Sequence, residues 1–225
     1  MTGREIDAVL FDLGNVLVRW DPYLPYLGRH DRAAVDAFFE EIDFAGFAGF
    51  NHRQDAGRPW AQARAELTRT HPYHVPLLDV YTEHFADSIP GPVDGAPAML
   101  ADLRAAGVRV LGLTNWSAET FPVAHERAPW LRLLEDVLVS GEAGLAKPDP
   151  RIFRLAAERF ALDIGRTLFV DDVTTNVAGA VSCGYPGETF TGHPALRRRL
   201  RTLGVPVPAA PRDPGPGAEP GCPST

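Results

Sequence analysis

VLFDLGNVLV, residues 9–18, opens as a run of bulky apolar side chains, meets an acid at Asp12, passes Leu13, Gly14 and Asn15, and turns apolar again. An apolar run with so little polar alternation reads as a parallel strand covered on both faces, and Asp12 stands where that strand has to end. With the first strand drawn over 6–11, three later stretches have the same character: 108–113 (VRVLGL), 136–139 (DVLV) and 167–170 (TLFV). Helical patterns lie between them. Residues 94–106 start at a candidate cap, Asp94, carry Ala96, Leu100 and Leu103 at helical spacing, and stop at Gly107. Residues 149–162 set Phe153, Ala156, Ala157 and Phe160 on one face. Strands alternating with helices predict an α/β fold, a doubly wound parallel sheet with a Rossmann-like three-layer core and right-handed crossovers.

The first strand interrupts this alternation. A βα loop typically has about 2 to 6 residues, yet the stretch from 19 to 90 intervenes before the next framework helix. It carries helical segments at 31–42, 59–70 and 75–88 and more than half of the chain's aromatic residues. The expected organisation is a core of 1–18 and 91–205, with 19–90 inserted as a small helical domain with its own core. FAGFAGF at 44–50 reads as packing material. The last segment, 206–225, contains seven prolines and three glycines and is expected to form a disordered tail.

Composition narrows the function. The chain has 225 residues, 45% hydrophobic and 23% charged, with 22 basic against 29 acidic side chains and a net charge of −7. No basic run precedes RRRLR at 197–201, so nucleic acid and anionic membranes are poor partners; a small-molecule substrate is expected, with homodimerisation left open. Two cysteines, Cys183 and Cys222, suggest neither a disulfide framework nor a zinc site. Asp7 and Asp12 break the amino-terminal apolar stretch, and no 18 apolar residues run together, so the expectation is a cytoplasmic protein without a signal or a membrane span. Among all the arginines the chain keeps one lysine, Lys147. Lysine delivers a compact charge on a flexible stem, which arginine's planar fork does not replace.

Ligands of open α/β sheets bind beyond the carboxyl ends of the strands. The polar residues met there are Asp12, then Thr114 and Asn115, then Asp171 and Asp172, with Lys147 following the third strand after SGEAGLA. Three carboxylates without histidine or cysteine form a hard oxygen site suited to Mg²⁺; a lysine and a hydroxyl beside it suit a phosphoryl group. Singly, each acid or amide could merely cap a helix or make a turn. The ordered set of acid, hydroxyl, lysine and acid pair argues for a site.

These residues resemble the four motifs of the haloacid dehalogenase superfamily of hydrolases, in the phosphatase-like branch with a helical C1-type cap. The motifs appear as VLFDLGNVLV, VLGLTNWS, KPDPRIF (147–153) and TLFVDDVTTNVAGA, in the family's order. The resemblance implies that Asp12 is the nucleophile, that Thr114 and the following amide hold the transferred group, and that Lys147 neutralises charge on nucleophile and substrate. It also implies that Asp172 with Asp171, Asp12 and the carbonyl of Gly14 holds Mg²⁺, and that 19–90 is the cap. Asn115 and Trp116 are the candidate substrate contacts, with a pocket wall and a core position both open for Trp116.

Gly14 departs from the usual phosphatase pattern. Family phosphatases usually carry a second aspartate there, which protonates the leaving oxygen and then activates water, although some branches acting on small sugar phosphates share the DLGN sequence; general acid–base catalysis is worth about 10² to 10⁴ in rate. Three readings follow. One is a Mg²⁺-dependent phosphatase for a sugar phosphate or another small ester with a good leaving group, through an aspartyl-phosphate. The second is a 2-haloacid dehalogenase with an aspartyl-ester intermediate, and the third a noncatalytic phosphometabolite-binding relative. The acid pair favours the first, since family dehalogenases tend to have serine and asparagine there; Asn176, where many family phosphatases have an acid, weighs against it. Trp20, Asp21, His52, Arg53, Arg58 and Trp60 are cap candidates for facing the site, none singled out. HPYH at 71–74 resembles a metal pair only superficially.

Overall fold

The computed structural model describes residues 6–46 and 49–209. From the amino end, β1 (Ala8–Phe11) and a short β2 (Val18–Arg19) flank the turn that holds Asp12. An insertion of helices follows: α1 (Arg32–Glu41), α2 (Phe50–Asp55), α3 (Trp60–Thr70) and α4 (Val75–Glu83). β3 (Gly91–Pro92) then pairs antiparallel with β2, so the chain leaves and re-enters the sheet layer through a two-stranded ribbon. The remainder alternates: α5 (Ala96–Ala105), β4 (Arg109–Thr114), α6 (Phe121–Arg127), β5 (Val137–Val139), α7 (Ser140–Ala143), α8 (Pro150–Phe160), β6 (Thr167–Asp171), α9 (Thr174–Ser182), β7 (Gly187–Thr189) and α10 (His193–Thr202).

The main sheet is parallel throughout in the order β5-β4-β1-β6-β7. The expected α/β fold with a doubly wound sheet is therefore the observed one. Placing β1 in the middle sets Asp12 at the centre of the carboxyl edge, where its amide donates to the Val170 carbonyl at 2.8 Å. Side chains alternate across the sheet with period two. Val9 and Phe11 enter one buried cluster with Met99, Leu100 and Leu103 of α5, while Ala8 and Leu10 enter the other with Ile152, Phe153 and Ala156 of α8. Fully burying one such Leu or Phe contributes about 1.5–3 kcal/mol relative to exposure.

Several local expectations need adjusting. The insertion lacks a separate core: Phe38, Phe44 and Tyr81 belong to the same buried cluster as Val9, Phe11 and Trp116. Asp94 does not cap α5; its carboxylate takes Arg19 at 2.5 Å, and the cap position is Gly95 at φ 89°, a left-handed conformation that costs glycine little. At the other end Val207 is buried in the main cluster and the Pro208 carbonyl accepts from Arg197. The chain thus stays packed past 206, where the tail was expected to begin, and 210–225 lie outside the described residues. RRRLR is no open basic patch, because it lies on α10 with Arg197 buried against Asp102 at 2.7 Å and Arg199 beside Glu188 at 3.2 Å.

Candidate active site

The turn after β1 is tied to one acceptor: the amides of Val16, Leu17 and Val18 all point to the Leu13 carbonyl, at 3.3, 2.9 and 2.8 Å. Asn15 sits at φ 53°, a conformation asparagine tolerates better than most residues, and its Oδ1 accepts from the Trp20 amide at 3.0 Å. This knot fixes the direction of Asp12. Its carboxyl is 8% exposed and meets Lys147 Nζ at 2.8 Å.

Lys147, 1% exposed, is held from two sides. Its Nζ also donates to Asp171 Oδ2 at 2.7 Å, while its backbone amide donates to Asn115 Oδ1 at 2.8 Å and its carbonyl accepts from Asn115 Nδ2 at 3.0 Å. The Asn115 side chain is thereby spent on positioning Lys147, which leaves its backbone N–H as the group that could meet a substrate. Asp171 is completely buried and saturated: Oδ1 accepts from the Val173 amide at 2.8 Å, and Asn176 Nδ2 reaches both oxygens at 3.2 and 3.1 Å. Asn176, where an acid was the family's more usual choice, orients this carboxylate as a neutral donor. Two glycines permit the close packing: a Cβ on Gly141 would lie 2.4 Å from the Ala118 amide nitrogen, and one on Gly179 would lie 2.9 Å from the Pro148 carbonyl oxygen.

The charges are unbalanced. Oxygens of Asp12, Asp171 and Asp172 lie within 4.8 Å of one another, against one ammonium. Burial pushes the Asp12 carboxyl up to about 7, with Lys147 opposing and the charges of Asp171 and Asp172 adding to the rise. Asp172, half-buried, is raised by burial and then by Asp171. Burial alone would depress Lys147, but the charges of Asp12 and Asp171 outweigh it and hold the ammonium protonated. Three crowded hard-oxygen donors with a single positive partner fit a small divalent cation, whose charge would relieve their repulsion. Among the described residues no other acid, histidine or cysteine cluster could hold a metal; in HPYH, His74 pairs with Glu41 at 3.1 Å. Beside the acids the Thr114 hydroxyl, 1% exposed, has no hydrogen-bond partner. A buried polar group left in that state is costly unless a ligand completes it.

A cavity of about 420 Å³ opens over this floor. Asp12, Gly14, Asn115, Trp116, Lys147 and Asp172 reach it from the sheet edge, whereas Asp171 and Thr114 lie beneath. Of the insertion candidates Trp20, His52 and Trp60 line it; Asp21, Arg53 and Arg58 do not, and both arginines turn to Glu66. Trp116 is both wall and core, 5% exposed. The sequence reading missed Asp55, at the end of α2, which lines the cavity and whose carboxyl burial and the Asp12 charge push up to about 7. It lies outside every motif, in a short helix with no apolar periodicity to announce it. Ser117 and Ser140 were also missed: Trp60 Nε1 donates to Ser117 Oγ at 3.1 Å, and the Trp116 amide to Ser140 Oγ at 2.9 Å.

The chain belongs to the haloacid dehalogenase-like hydrolases, whose family model matches residues 6–184. It is 36% identical over 179 residues to phosphatase MT3486 of Mycobacterium tuberculosis, covering 76% of this chain and 73% of that one. Against several other curated relatives it spans only 18 to 54% of their length. The fold matches that of an enzyme of the same superfamily from Bacteroides thetaiotaomicron, solved with magnesium and inorganic phosphate (TM-score 0.66, 22% identity, 84% of this chain and 96% of that one). It also matches the L-2-haloacid dehalogenase of Xanthobacter autotrophicus (TM-score 0.61, 20% identity, 88% and 83%). No helix among the described residues is long and apolar enough to cross a membrane.

Proposed function

We propose that the chain is a Mg²⁺-dependent phosphatase of small phosphate monoesters that works through an aspartyl-phosphate on Asp12. The observation that carries this reading is the Lys147 ammonium lodged between Asp12 and Asp171, next to a buried Thr114 hydroxyl that lacks a partner. Bound at Asp12, Asp172 and the Gly14 carbonyl, with Asp171 behind, Mg²⁺ would neutralise acid and phosphoryl charge. Lys147 aims Asp12 and favours its ionised form against burial, and an Asp12 oxygen attacks phosphorus while the bond from phosphorus to the ester oxygen breaks. Thr114 and the Asn115 amide donate to the phosphoryl oxygens as charge shifts onto them. Water then attacks phosphorus, releasing inorganic phosphate and restoring the Asp12 carboxylate.

With Gly14 in place of an acid, the departing oxygen takes its proton from water. The residues 19–90 act as the cap that covers the site, on the core of 1–18 and 91–205. A dehalogenase would displace halide by attack at carbon and would gain nothing from the paired acids Asp171 and Asp172. A screen of phosphate monoesters with and without Mg²⁺, run beside halide release from 2-chloropropionate, decides between them. Phosphate release that EDTA stops is expected; metal-independent halide release would replace this reading with the dehalogenase, and silence in both with a noncatalytic binder.

A further inference from the structure

The wall of the cavity above the acids is aromatic. Trp20, Phe44, Trp60, Tyr81 and Phe85 descend from the insertion, and Trp116 closes the side toward the sheet. The rings are in contact: Tyr81 meets Phe44, Trp60 and Phe85 at centroid distances of 5.2, 5.7 and 5.7 Å, and Phe85 meets Trp116 at 6.1 Å.

Their polar handles are largely used up within the protein. Trp60 Nε1 donates to Ser117, the Tyr81 hydroxyl is hydrogen-bonded by Trp20, and the Asn51 amide donates to Asp55 Oδ2 at 3.1 Å. Trp116 Nε1, buried and without a partner, leaves this wall one indole donor. Charge is as sparse. Among the described residues Lys147 is the sole lysine or arginine lining the cavity, and it is committed to two carboxylates. Burial disfavours the charged form of the His52 imidazole, and Asp55 adds negative rather than positive character.

We propose that the group carried by the phosphate is a hydrocarbon, aliphatic or aromatic, and that esters bearing a second anion or many hydroxyls are excluded. A second carboxylate or phosphate would enter a cavity whose one basic side chain, Lys147, is already committed and whose lining carries Asp12, Asp55 and Asp172, an uncompensated desolvation. A polyol would trade its water for ring faces. A hydrocarbon instead gains from every buried methylene, worth about 0.8 kcal/mol or close to fourfold in affinity. This inference rests on the phosphatase reading for the site's chemistry, but not for its test.

The test uses n-alkylphosphonates from methyl to hexyl, together with phosphonoacetate, as inhibitors of acetyl phosphate turnover by the full chain with Mg²⁺. The inhibition constant is expected to fall roughly two- to fourfold per methylene, and phosphonoacetate to bind no better than methylphosphonate. A flat series, or tighter binding of phosphonoacetate, overturns the inference while leaving the phosphatase standing. If neither acetyl phosphate nor the phosphate monoesters of the screen are turned over, the phosphatase reading fails; the same series is then read by tryptophan fluorescence, since Trp20, Trp60 and Trp116 line the cavity, and absence of any binding overturns the inference too. Trp20→Ala, at a half-buried position, should flatten the chain-length dependence by severalfold; an unchanged slope in a folded variant contradicts the aromatic wall's role, and the wild-type series decides should the variant not fold.

Discussion

Lys147 acts at hydrogen-bonding distance from two carboxylates. Its ammonium sits 2.8 Å from Asp12 and 2.7 Å from Asp171, fully enclosed, with the Phe169 ring centroid 5.7 Å away. A guanidinium keeps the charge but is planar and larger, and its fork does not reproduce a compact ammonium between two carboxylates. Lys147→Arg should therefore lower kcat at least a hundredfold in a steady-state assay, and near-normal turnover would remove Lys147 from the mechanism. At Gly14 the opposite holds. A Cβ there meets nothing within 4 Å, so Gly14→Asp is sterically open. It should raise turnover of esters with basic leaving alcohols by about 10² or more and flatten the dependence of rate on leaving-group basicity; an unchanged dependence shows that proton transfer is not what the glycine costs. His193, remote from the chemistry, has a pH signature. Its Nε2 bonds the Val16 carbonyl at 3.0 Å, Nδ1 has no partner, Phe190 packs on the ring, and Arg197 lies on the same helix. Burial holds it at about 4, below its ordinary 6.5, with the Arg197 charge adding. The unfolded chain binds the extra proton first, so this stability is complete above 6.5 and is lost as pH falls toward 4. Thermal melts should show that slope in wild type and a shallower one in His193→Gln; equal slopes would assign it elsewhere.

At the scale of elements, α5 and α10 are joined by Arg197 and Asp102, an ion pair at 2.7 Å with both side chains buried. Removing one partner leaves the other charge stranded, at about 3–5 kcal/mol, whereas replacing both by apolar residues is often neutral. Arg197→Met should thus lower the melting temperature sharply, and Asp102→Leu added to it should restore most of the loss; additive losses would mean that packing, not charge, is what the pair supplies. Sequence made some elements legible and hid others for physical reasons. β1, β4, β5 and β6 are continuous apolar runs because both faces are covered. β7 (GET) is half-exposed at the sheet edge, and β2 and β3 are two residues each, too short for periodicity to register. The acids, Thr114 and Lys147 could be found because they follow strands. Asp55 and Ser117 could not, because only tertiary packing brings α2 and α3 over the sheet edge, and Asn115 reads as a ligand contact until its amide is seen clasping the Lys147 backbone.

For the whole molecule, the insertion and the sheet share one hydrophobic cluster, and two hydrogen bonds from Trp60 latch α3 onto the loop after β4: the amide to Glu119 at 2.9 Å and Nε1 to Ser117 at 3.1 Å. Roof and floor meet over Asp12, the proposed nucleophile, which is largely buried, so that each charge beside it counts for more than in water. In that arrangement Asp12 is proposed to accept the phosphoryl group. The direct measurement is to acid-quench the Mg²⁺-loaded enzyme during acetyl phosphate turnover and weigh the peptide that contains Asp12. This peptide is expected to gain one HPO₃, and Asp12→Asn to show neither the gain nor phosphate release. Phosphate release undiminished in Asp12→Asn, with no adduct on the wild-type peptide, would contradict it.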